Sequence, residues 1–283
     1  QDHSGRIQIY VKRDDICAGE DKTLYNTVWK KLLDIGDIIG VKGYGFITKT
    51  GETSIHVTSF TLLSKSLKPL PVVKEAEGHS FDAVTDPEFK YRQRYADMII
   101  NPQVRDAFVK RTLMINTIRD FLNGQGALEV DTPVLQSIPG GAAARPFITH
   151  HNALDIPLYL RIANELYLKR LIVGGFDWVY EFSRNFRNEG MDRTHNPEFT
   201  ILEFYVAYKD YFWMMNTTEN LLEQVAVALH HTTDVPVGDK VISFKAPFKR
   251  VSIYDAIKEH TGIDISEMDE AALRDTCHKL HIE

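Results

Sequence analysis

Cysteine is scarce in this chain, and long apolar runs are absent. Two cysteines occur among the 283 residues, Cys17 and Cys277, which excludes a disulfide framework and a cysteine-based zinc site. No apolar run approaches the ~18–20 residues of a membrane-spanning helix. The N-terminus shows no charged-then-apolar leader. These absences predict a soluble, cytoplasmic, globular protein. From the abrupt start at Gln1 and end at Glu283 we expect the chain to be a fragment.

Charge is unevenly distributed along the sequence. The net charge is −6, but residues 1–74 carry 11 Lys and Arg against 8 Asp and Glu, whereas residues 75–283 carry 22 against 31. A mildly basic first segment permits contact with nucleic-acid phosphates. Ordinary scatter of charge explains the same numbers, so charge alone does not decide the function.

The hydrophobic pattern predicts two domains. Short β segments with glycine punctuation at 5–11, 37–48 and 53–63, together with a helix at 24–33, predict a small barrel, although an open β-sandwich piece has the same pattern. We place this first domain at residues 1–66 and a linker, rich in proline and polar residues, at 67–95.

The remaining residues, 96–283, predict an α+β domain. A long helix opens at Asn101 and Pro102 and closes at Gly124 and Gly126. Further strands are predicted at 158–163, 178–187 and 199–208, helices at 164–173 and 210–231, and a β piece with two short helices in 235–283. This order predicts an antiparallel sheet with flanking helices.

The chemistry is concentrated in the segment NFRNEGMDRTHNPEFTILEFYVAY at residues 185–208. If its second half is a strand, alternate residues share a face: Phe199, Ile201, Glu203 and Tyr205 on one side, and Thr200, Leu202 and Phe204 on the other. A carboxylate among apolar side chains needs a partner when it is buried. The first face therefore has the composition of a binding surface.

The preceding strand ends in arginine and leads into a cationic loop. Two antiparallel strands joined in this way can hold a polyphosphate, with Arg187 as a bidentate clamp, Arg193 and His195 as mobile cations, and Phe199 as a stacking surface for a base. A solvated hairpin would explain the loop charges, but not the spacing of arginine, carboxylate and aromatic ring. The pattern favours a nucleotide site.

Several motifs carry a family resemblance. Phe-Arg-x-Glu, a loop, then His-x-x-x-Phe-x-x-x-Glu resembles motif 2 of the class II aminoacyl-tRNA synthetases, and the long helix leading through GALEVDTP at 126–133 resembles motif 1. PGGAAARPFITHHNALD at 139–155 and YLRIANELYLKRL at 159–171 resemble lysyl-tRNA synthetases. SGRIQ at 4–8 and GETSIH at 51–56 are similar to that family's OB-fold anticodon-binding domain, of which the first strand is missing here.

The resemblance implies an ATP-dependent lysine–tRNA ligase. Lysine and ATP would condense to lysyl-adenylate and pyrophosphate, and the lysyl group would pass to the 3′ end of tRNA(Lys). The catalytic residue would be Arg187, which bridges the α-phosphate and the lysine carboxylate. The residues implied for ATP binding are Arg187, Glu189, Arg193, His195, Asn196 and Phe199.

The resemblance also implies the lysine and tRNA contacts. Lysine would be bound by Gly141, Glu165, Arg187, Glu203 and Tyr205. Acidic groups and a phenol suit a substrate with two ammonium groups, whereas an aspartate-specific relative should present cations. Gln8 and Glu52 match positions that read the anticodon of tRNA(Lys), and OB folds read bases by stacking and edge hydrogen bonds.

Some expected features depart from the family pattern. Motif 3, its ATP-binding arginine and the Mg²⁺ ligands are expected beyond residue 283, so we expect no metal ligands in this fragment and no catalytic activity from it alone. Asn164 stands where proline is expected, which we interpret as a harmless change at a helix start. The resemblance also implies a homodimer through the motif 1 helix, with some of Phe108, Ile115 and Ile118 at the interface.

Three alternatives remain open at this stage. An aspartyl- or asparaginyl-tRNA synthetase of the same subclass is disfavoured by Glu165 and Glu203. A non-catalytic, tRNA-binding or regulatory relative would keep the OB domain and the dimer scaffold. A paralogue that lysylates a protein normally lacks the first domain, which this chain has.

Overall fold

The computed structural model describes residues 5–68, 74–76, 79–81 and 86–282. The chain divides into two compact units, Gln1–Phe108 and Val109–Glu283. Part of the predicted linker lies outside the described residues, and the domain boundaries at 66 and 95 stay predictions. Within the described ranges, no helix has the length and apolar character needed to cross a membrane.

The first unit contains a three-stranded sheet of order β1-β3-β2, formed by β1 (Gln8–Val11), β2 (Ile38–Ile47) and β3 (Thr53–Ser64). β1 runs parallel to β3, and β2 runs antiparallel to it. A short helix, α1 (Arg13–Ile16), follows β1. The predicted helix at 24–33 is a π-helix over Leu24–Leu32, with the amide of Leu33 donating to the carbonyl of Val28.

One face of this sheet packs on a small core. Ile16, Cys17 and Val57 are buried together, and Ile9 and Val11 pack against them. Because strand side chains alternate, Gln8 and Tyr10 point away from this core. The alternation within the first strand is as predicted, but the barrel is not shown, because the three strands described form an open sheet with two edges.

After β3, the described part of the first unit contains one small hairpin and two short helices before a long helix. The hairpin joins β4 (Lys74–Ala76) and β5 (His79–Phe81). Helices α2 (Pro87–Arg92) and α3 (Arg94–Ile100) follow. The carboxylate of Asp86 accepts from the amides of Glu88 and Phe89, which caps α2. The boundary between the units falls within the long helix α4 (Pro102–Gly124), whose ends match the prediction.

The second unit contains mixed and antiparallel sheets. One has the order β11-β10-β6 and another the order β7-β9-β8. Their strands are β6 (Leu128–Glu129), β7 (Leu135–Gln136), β8 (Ile148–His151), β9 (Ile156–Leu160), β10 (Trp178–Phe186) and β11 (Glu198–Val206). A hairpin of β12 (Asp234–Val237) and β13 (Lys240–Ser243) lies near the end. The helices are α5 (Glu165–Val173), α6 (Tyr211–His230), α7 (Ile253–Thr261) and α8 (Glu270–Lys279).

The core of the second unit lies on one face of the β10–β11 hairpin. These strands pair antiparallel, with Glu181 opposite Glu203. The buried cluster comprises Phe121, Leu122, Ala127, Tyr180 and Leu221, against which Phe182, Leu202 and Phe204 pack. Burying a large apolar side chain stabilises the fold by ~1.5–3 kcal/mol, so α4 and α6 are held on this face. The predicted alternation of residues 199–205 is confirmed, and the opposite face carries the polar side chains.

One predicted strand is shorter than expected. β9 ends at Leu160, whereas the sequence predicted a strand through Ala163. The chain leaves the strand at Arg161, whose amide donates to the carbonyl of Val134 and whose carbonyl accepts from the amide of Phe186. A buried, charged arginine requires several hydrogen-bond acceptors. The backbone leaves the strand here, which places the side chain of Arg161 among such acceptors.

Candidate functional site

The end of the β10–β11 hairpin positions the central arginine. Arg187 follows β10 directly, and its amide donates to the carbonyl of Pro197 at 2.8 Å, which closes the hairpin before β11 begins. Its guanidinium carbon lies 5.1 Å from the centre of the Phe199 ring. The buried Nε has no hydrogen-bond partner among the described residues. A buried donor without a partner destabilises the folded state by ~1–3 kcal/mol. The position of this arginine therefore suits the binding of a ligand and not the stability of the fold.

The loop between the strands is organised by Asp192. Its carboxylate accepts from the amides of Thr194 at 2.7 Å and His195 at 2.8 Å, and it pairs with Nδ1 of His195 at 2.8 Å. The backbone hydrogen bond from Thr194, followed by that from the His195 side chain, holds the pKa of Asp192 well below its ordinary value. Asp192 therefore fixes the turn that presents His195. Sequence reasoning did not identify it, although aspartate is a common turn residue whose side chain accepts from the backbone two residues on.

Five of the six residues predicted to bind ATP line one cavity of about 430 Å³. They are Arg187, Glu189, His195, Asn196 and Phe199. The sixth, Arg193, is exposed and is not among the described residues that line this cavity. A neighbouring cavity of about 450 Å³ is lined by Ala143, Ala144, Arg145, Asn188, Glu189 and Gly190. Glu189 lies between the two, and one of its carboxylate oxygens accepts from the amide of Arg145 at 3.3 Å.

The predicted lysine-binding residues come together on α5 and β11. Gly141 has a φ of +87°, and a Cβ at this position would lie 3.1 Å from the Cβ of Ala163 and 3.3 Å from that of Glu165. Both the left-handed backbone and the close approach require glycine here. The backbone of Gly141 is thereby held against Glu165, the first residue of α5.

Glu203 and Tyr205 form the second half of this set. The phenol of Tyr205 donates to Oε2 of Glu203 at 3.2 Å. Burial raises the pKa of Glu203, and the charges of Glu165 and Glu181 add to the rise, while the bond from Tyr205 and the charge of Arg187 oppose it. Burial also raises the pKa of the Tyr205 phenol, again with the carboxylates of Glu203 and Glu165 adding to it. The surroundings therefore favour a cation at this point.

A lysine of the chain itself reaches this acidic set. Nζ of Lys169 lies 2.5 Å from Oε1 of Glu165, one helical turn away, and 5.9 Å from the centre of the Tyr205 ring. Sequence reasoning named Glu165 and Tyr205 but not the lysine between them. The signal was present, because residues four apart on a helix face each other.

A buried polar network lies beneath the acidic set. Glu181 is 1% exposed, and its carboxylate accepts from Arg161 at 2.7 Å, from the hydroxyl of Thr132 at 2.7 Å and from the amide group of Asn164 at 2.9 Å. Asn164 is fully buried, and its Oδ1 has no hydrogen-bond partner among the described residues. Asn164 is thus part of a network that fixes the start of α5, which the sequence did not predict.

The two predicted anticodon residues are joined by one serine in the first unit. The hydroxyl of Ser54 lies 3.0 Å from Oε1 of Gln8 and 3.4 Å from the backbone carbonyl of Glu52. Gln8 and Glu52 are both exposed. The structure therefore places them side by side on one end of the sheet.

Metal-ligating residues do not cluster in the part of the chain that the structure describes. No three His, Cys, Asp or Glu side chains in these ranges lie close enough together to hold an ion. The charged side chains described at the site are arginine, histidine, Lys169 and the carboxylates.

The sequence of the second unit matches a known family. Residues 86–279 match the family described as tRNA synthetases class II (D, K and N). The chain belongs to this family. Its class II synthetase fold fits the mixed and antiparallel sheets with flanking helices, and the motif 2 resemblance falls on the β10–β11 hairpin.

Similar proteins within the class II family include bacterial lysine–tRNA ligases. The chain is 69% identical over 283 residues to the lysine–tRNA ligase of Porphyromonas gingivalis strain W83, covering all of this chain and 49% of that protein. It is 62% identical to those of Azobacteroides pseudotrichonymphae and Christiangramia forsetii, again over its whole length, covering 57% and 50% of them. The chain spans about half the length of the curated relatives it matches.

Proposed function

We propose that this chain is part of a lysyl-tRNA synthetase, an ATP-dependent ligase that joins L-lysine to tRNA(Lys) in the cytoplasm. The observation that carries the proposal is the acidic set beside the arginine-aromatic pair. The ammonium of Lys169 already lies against Glu165 and 5.9 Å from the centre of the Tyr205 ring, and the charge of Arg187 acts on the neighbouring Glu203. A site for aspartate or asparagine would require cations or amides at this point.

The proposed first step is the formation of lysyl-adenylate. A carboxylate oxygen of lysine attacks the α-phosphorus of ATP, the bond to the bridging oxygen breaks, and pyrophosphate leaves with the electron pair. Both reactants are anionic at the reacting centre, so the arginine serves by positioning them and neutralising charge. Arg187, stacked on Phe199, is well placed for this role, and the same ring offers a surface for adenine.

The remaining ATP contacts follow from the hairpin loop. Glu189 is assigned to the adenine amino group, His195 with Arg193 to the terminal phosphates, and Asn196 to the wall of the cavity. The exposure of Arg193 leaves its side chain free to move toward a bound triphosphate. Membership of the class II family implies Mg²⁺ in general. The described residues form no cluster of metal ligands, so no contact proposed here is routed through the metal ion.

In this proposal, each of the two ammonium groups of lysine is bound by a different carboxylate. Glu165 and the backbone carbonyl of Gly141 take the α-ammonium, and Glu203 with Tyr205 takes part in binding the side-chain ammonium. Glu203 is suited to this role because burial and neighbouring charges make its ionised form costly without a cation. A bound ammonium group would relieve that cost.

The second step transfers the lysyl group to tRNA. The 3′-terminal ribose hydroxyl attacks the adenylate carbonyl, and AMP leaves. We assign the sheet of the first unit to an OB-fold anticodon-binding domain, with the adjacent Gln8 and Glu52 as base-reading residues. A homodimer through α4 is part of the proposal, and Phe108, 48% exposed on this helix, is a candidate contact.

The test is ATP–pyrophosphate exchange by the full-length protein with lysine, aspartate and asparagine. We expect exchange with lysine alone. Arg187→Ala should lower the rate by about 10²–10³-fold, because it removes a charge that acts in the transition state. The matched control is Arg184→Ala, since Arg184 is an exposed arginine of the same strand and pairs weakly with Glu198 at 3.6 Å.

The other outcomes distinguish the alternatives. Exchange with aspartate or asparagine would assign the protein to another member of the subclass. No exchange with any of the three, combined with tight binding of tRNA, would favour a non-catalytic binding protein. In either case the proposed substrate would be wrong.

A further inference from the structure

The ammonium of Lys169 lies against Glu165, the carboxylate proposed to bind the α-ammonium of the substrate. Its Nζ lies 2.5 Å from Oε1 of Glu165 and 5.9 Å from the centre of the Tyr205 ring, near the outer limit of a cation–π contact. The terminal group of this side chain is an alkylammonium, as is that of free lysine. A carboxylate and an aromatic ring of the site therefore already lie near the ammonium of a lysine that belongs to the protein.

The local geometry allows this side chain to leave. Lys169 is 55% exposed at its side chain and Glu165 is 32% exposed, so water can replace each partner when the pair separates. An ion pair between residues four apart on an exposed helix favours the paired state only about twofold over the separated state. Glu203, which is more buried, has the hydroxyl of Tyr205 as its partner. The internal lysine thus reaches only the outer carboxylate.

We propose that Lys169 is an internal competitor for the α-ammonium of the substrate, a positioning residue that holds Glu165 until lysine displaces it. The inference rests on the proposed function, since it assumes that free lysine binds at Glu165. A ligand without an ammonium group gains nothing from Glu165 and leaves the internal pair intact. A lysine molecule breaks the pair and replaces it with its own ion pair, while Lys169 turns to solvent.

The size of the effect on lysine binding follows from how often Glu165 is paired with Lys169. When a site is available only in a fraction of molecules, the apparent dissociation constant is the intrinsic constant divided by that fraction. If Glu165 is engaged in about two thirds of empty molecules, removing the internal cation strengthens lysine binding by about threefold. ATP binds at the hairpin loop, so its KM should not change.

The experiment compares Lys169→Met with wild type in the full-length enzyme. Lysine Kd by calorimetry and lysine KM by pyrophosphate exchange should both fall about threefold, with kcat and ATP KM unchanged. Lys169→Arg keeps a cation and should stay near wild type. Arg170→Met removes the neighbouring positive charge of α5, which lies over Tyr167 and not over Glu165, and should leave lysine KM unchanged.

The possible failures are separable. If wild type shows no lysine-dependent exchange, the proposed function is wrong. If wild type is active and Lys169→Met binds lysine no better, or less well, the inference alone is overturned, and Lys169 is a structural partner that orients Glu165. Lys169→Gln gives a second neutral side chain with the same expected result, should the methionine variant fold poorly.

Discussion

Removing Arg161 should destabilise the second unit more than any surface change. Its side chain is 5% exposed and donates at 2.8 Å to the carbonyl of Arg184, at 2.9 Å to that of Thr132 and at 2.7 Å to Glu181, itself 1% exposed. Arg161→Met leaves this carboxylate buried without its cation. Breaking a buried pair in this way costs ~3–5 kcal/mol. In a domain of about 175 residues this corresponds to a fall in Tm of about 6–20 °C.

The measurement is differential scanning calorimetry of the full-length protein at neutral pH. Arg274→Met is the matched control, because Arg274 forms an exposed pair with Glu270 on α8, and the loss should stay below ~1 kcal/mol. The double variant Arg161→Met/Glu181→Met removes both charges and should recover a good part of the loss. If Arg161→Met melts like Arg274→Met, or the double variant is no better than the single, the buried pair does not stabilise the unit as argued.

Three further predictions concern the site. Phe199→Ala should raise ATP KM about tenfold through the loss of aromatic stacking, measured by pyrophosphate exchange. Asp192→Ala should raise ATP KM about three- to tenfold because the turn that presents His195 loses its acceptor, whereas Asp192→Asn, which keeps an acceptor, should change it less. Glu203→Gln should abolish lysine exchange yet raise Tm at neutral pH, because the raised pKa of Glu203 means that its ionised form destabilises the folded state. This gain in Tm should shrink as the pH falls below the raised pKa and vanish below the ordinary value of 4.5.

Each of these has an outcome that would contradict it. Phe199→Tyr keeps a ring and serves as the control for stacking, so an equal rise in ATP KM for both variants would point to packing instead. Equal effects of the two Asp192 variants would show that its charge matters and its capping bonds do not. A Glu203→Gln protein that melts lower at neutral pH would refute the direction of the pKa argument.

The sequence predicted the hairpin well because its signal is local. The alternation of residues 199–205 set both faces of β11, and the pairing with β10 brought Arg187 and Phe199 together as expected. Glu181 pairs with Glu203 across the two strands and shares its face, but the sequence analysis did not single it out. Its importance was not predictable, because its partners Arg161 and Thr132 lie 20 and 49 residues away, and sequence spacing does not show which distant groups meet.

The first domain was predicted less completely. The three strands have nearly the predicted bounds, yet the closed barrel is not shown, because local periodicity gives strands and faces but not the number of strands that close a sheet. The adjacency of Gln8 and Glu52 likewise depends on the register of β1 against β3, which pairs Gln8 with Ser54. Their roles came from the family resemblance and stay a proposal.

The two faces of the β10–β11 hairpin contribute differently to the stability of the fold. The core face packs Tyr180 and Leu202 against two helices. The opposite face carries Glu203 with its raised pKa, and the buried Nδ2 of Asn185, which has no hydrogen-bond partner among the described residues. Each uncompensated polar group costs ~1–3 kcal/mol, so selection for stability alone would replace these side chains. A ligand with cationic and anionic groups would satisfy these side chains. Because strand side chains alternate, the loss of stability falls on one face of the hairpin, while the core on the other face of the same strands stays intact.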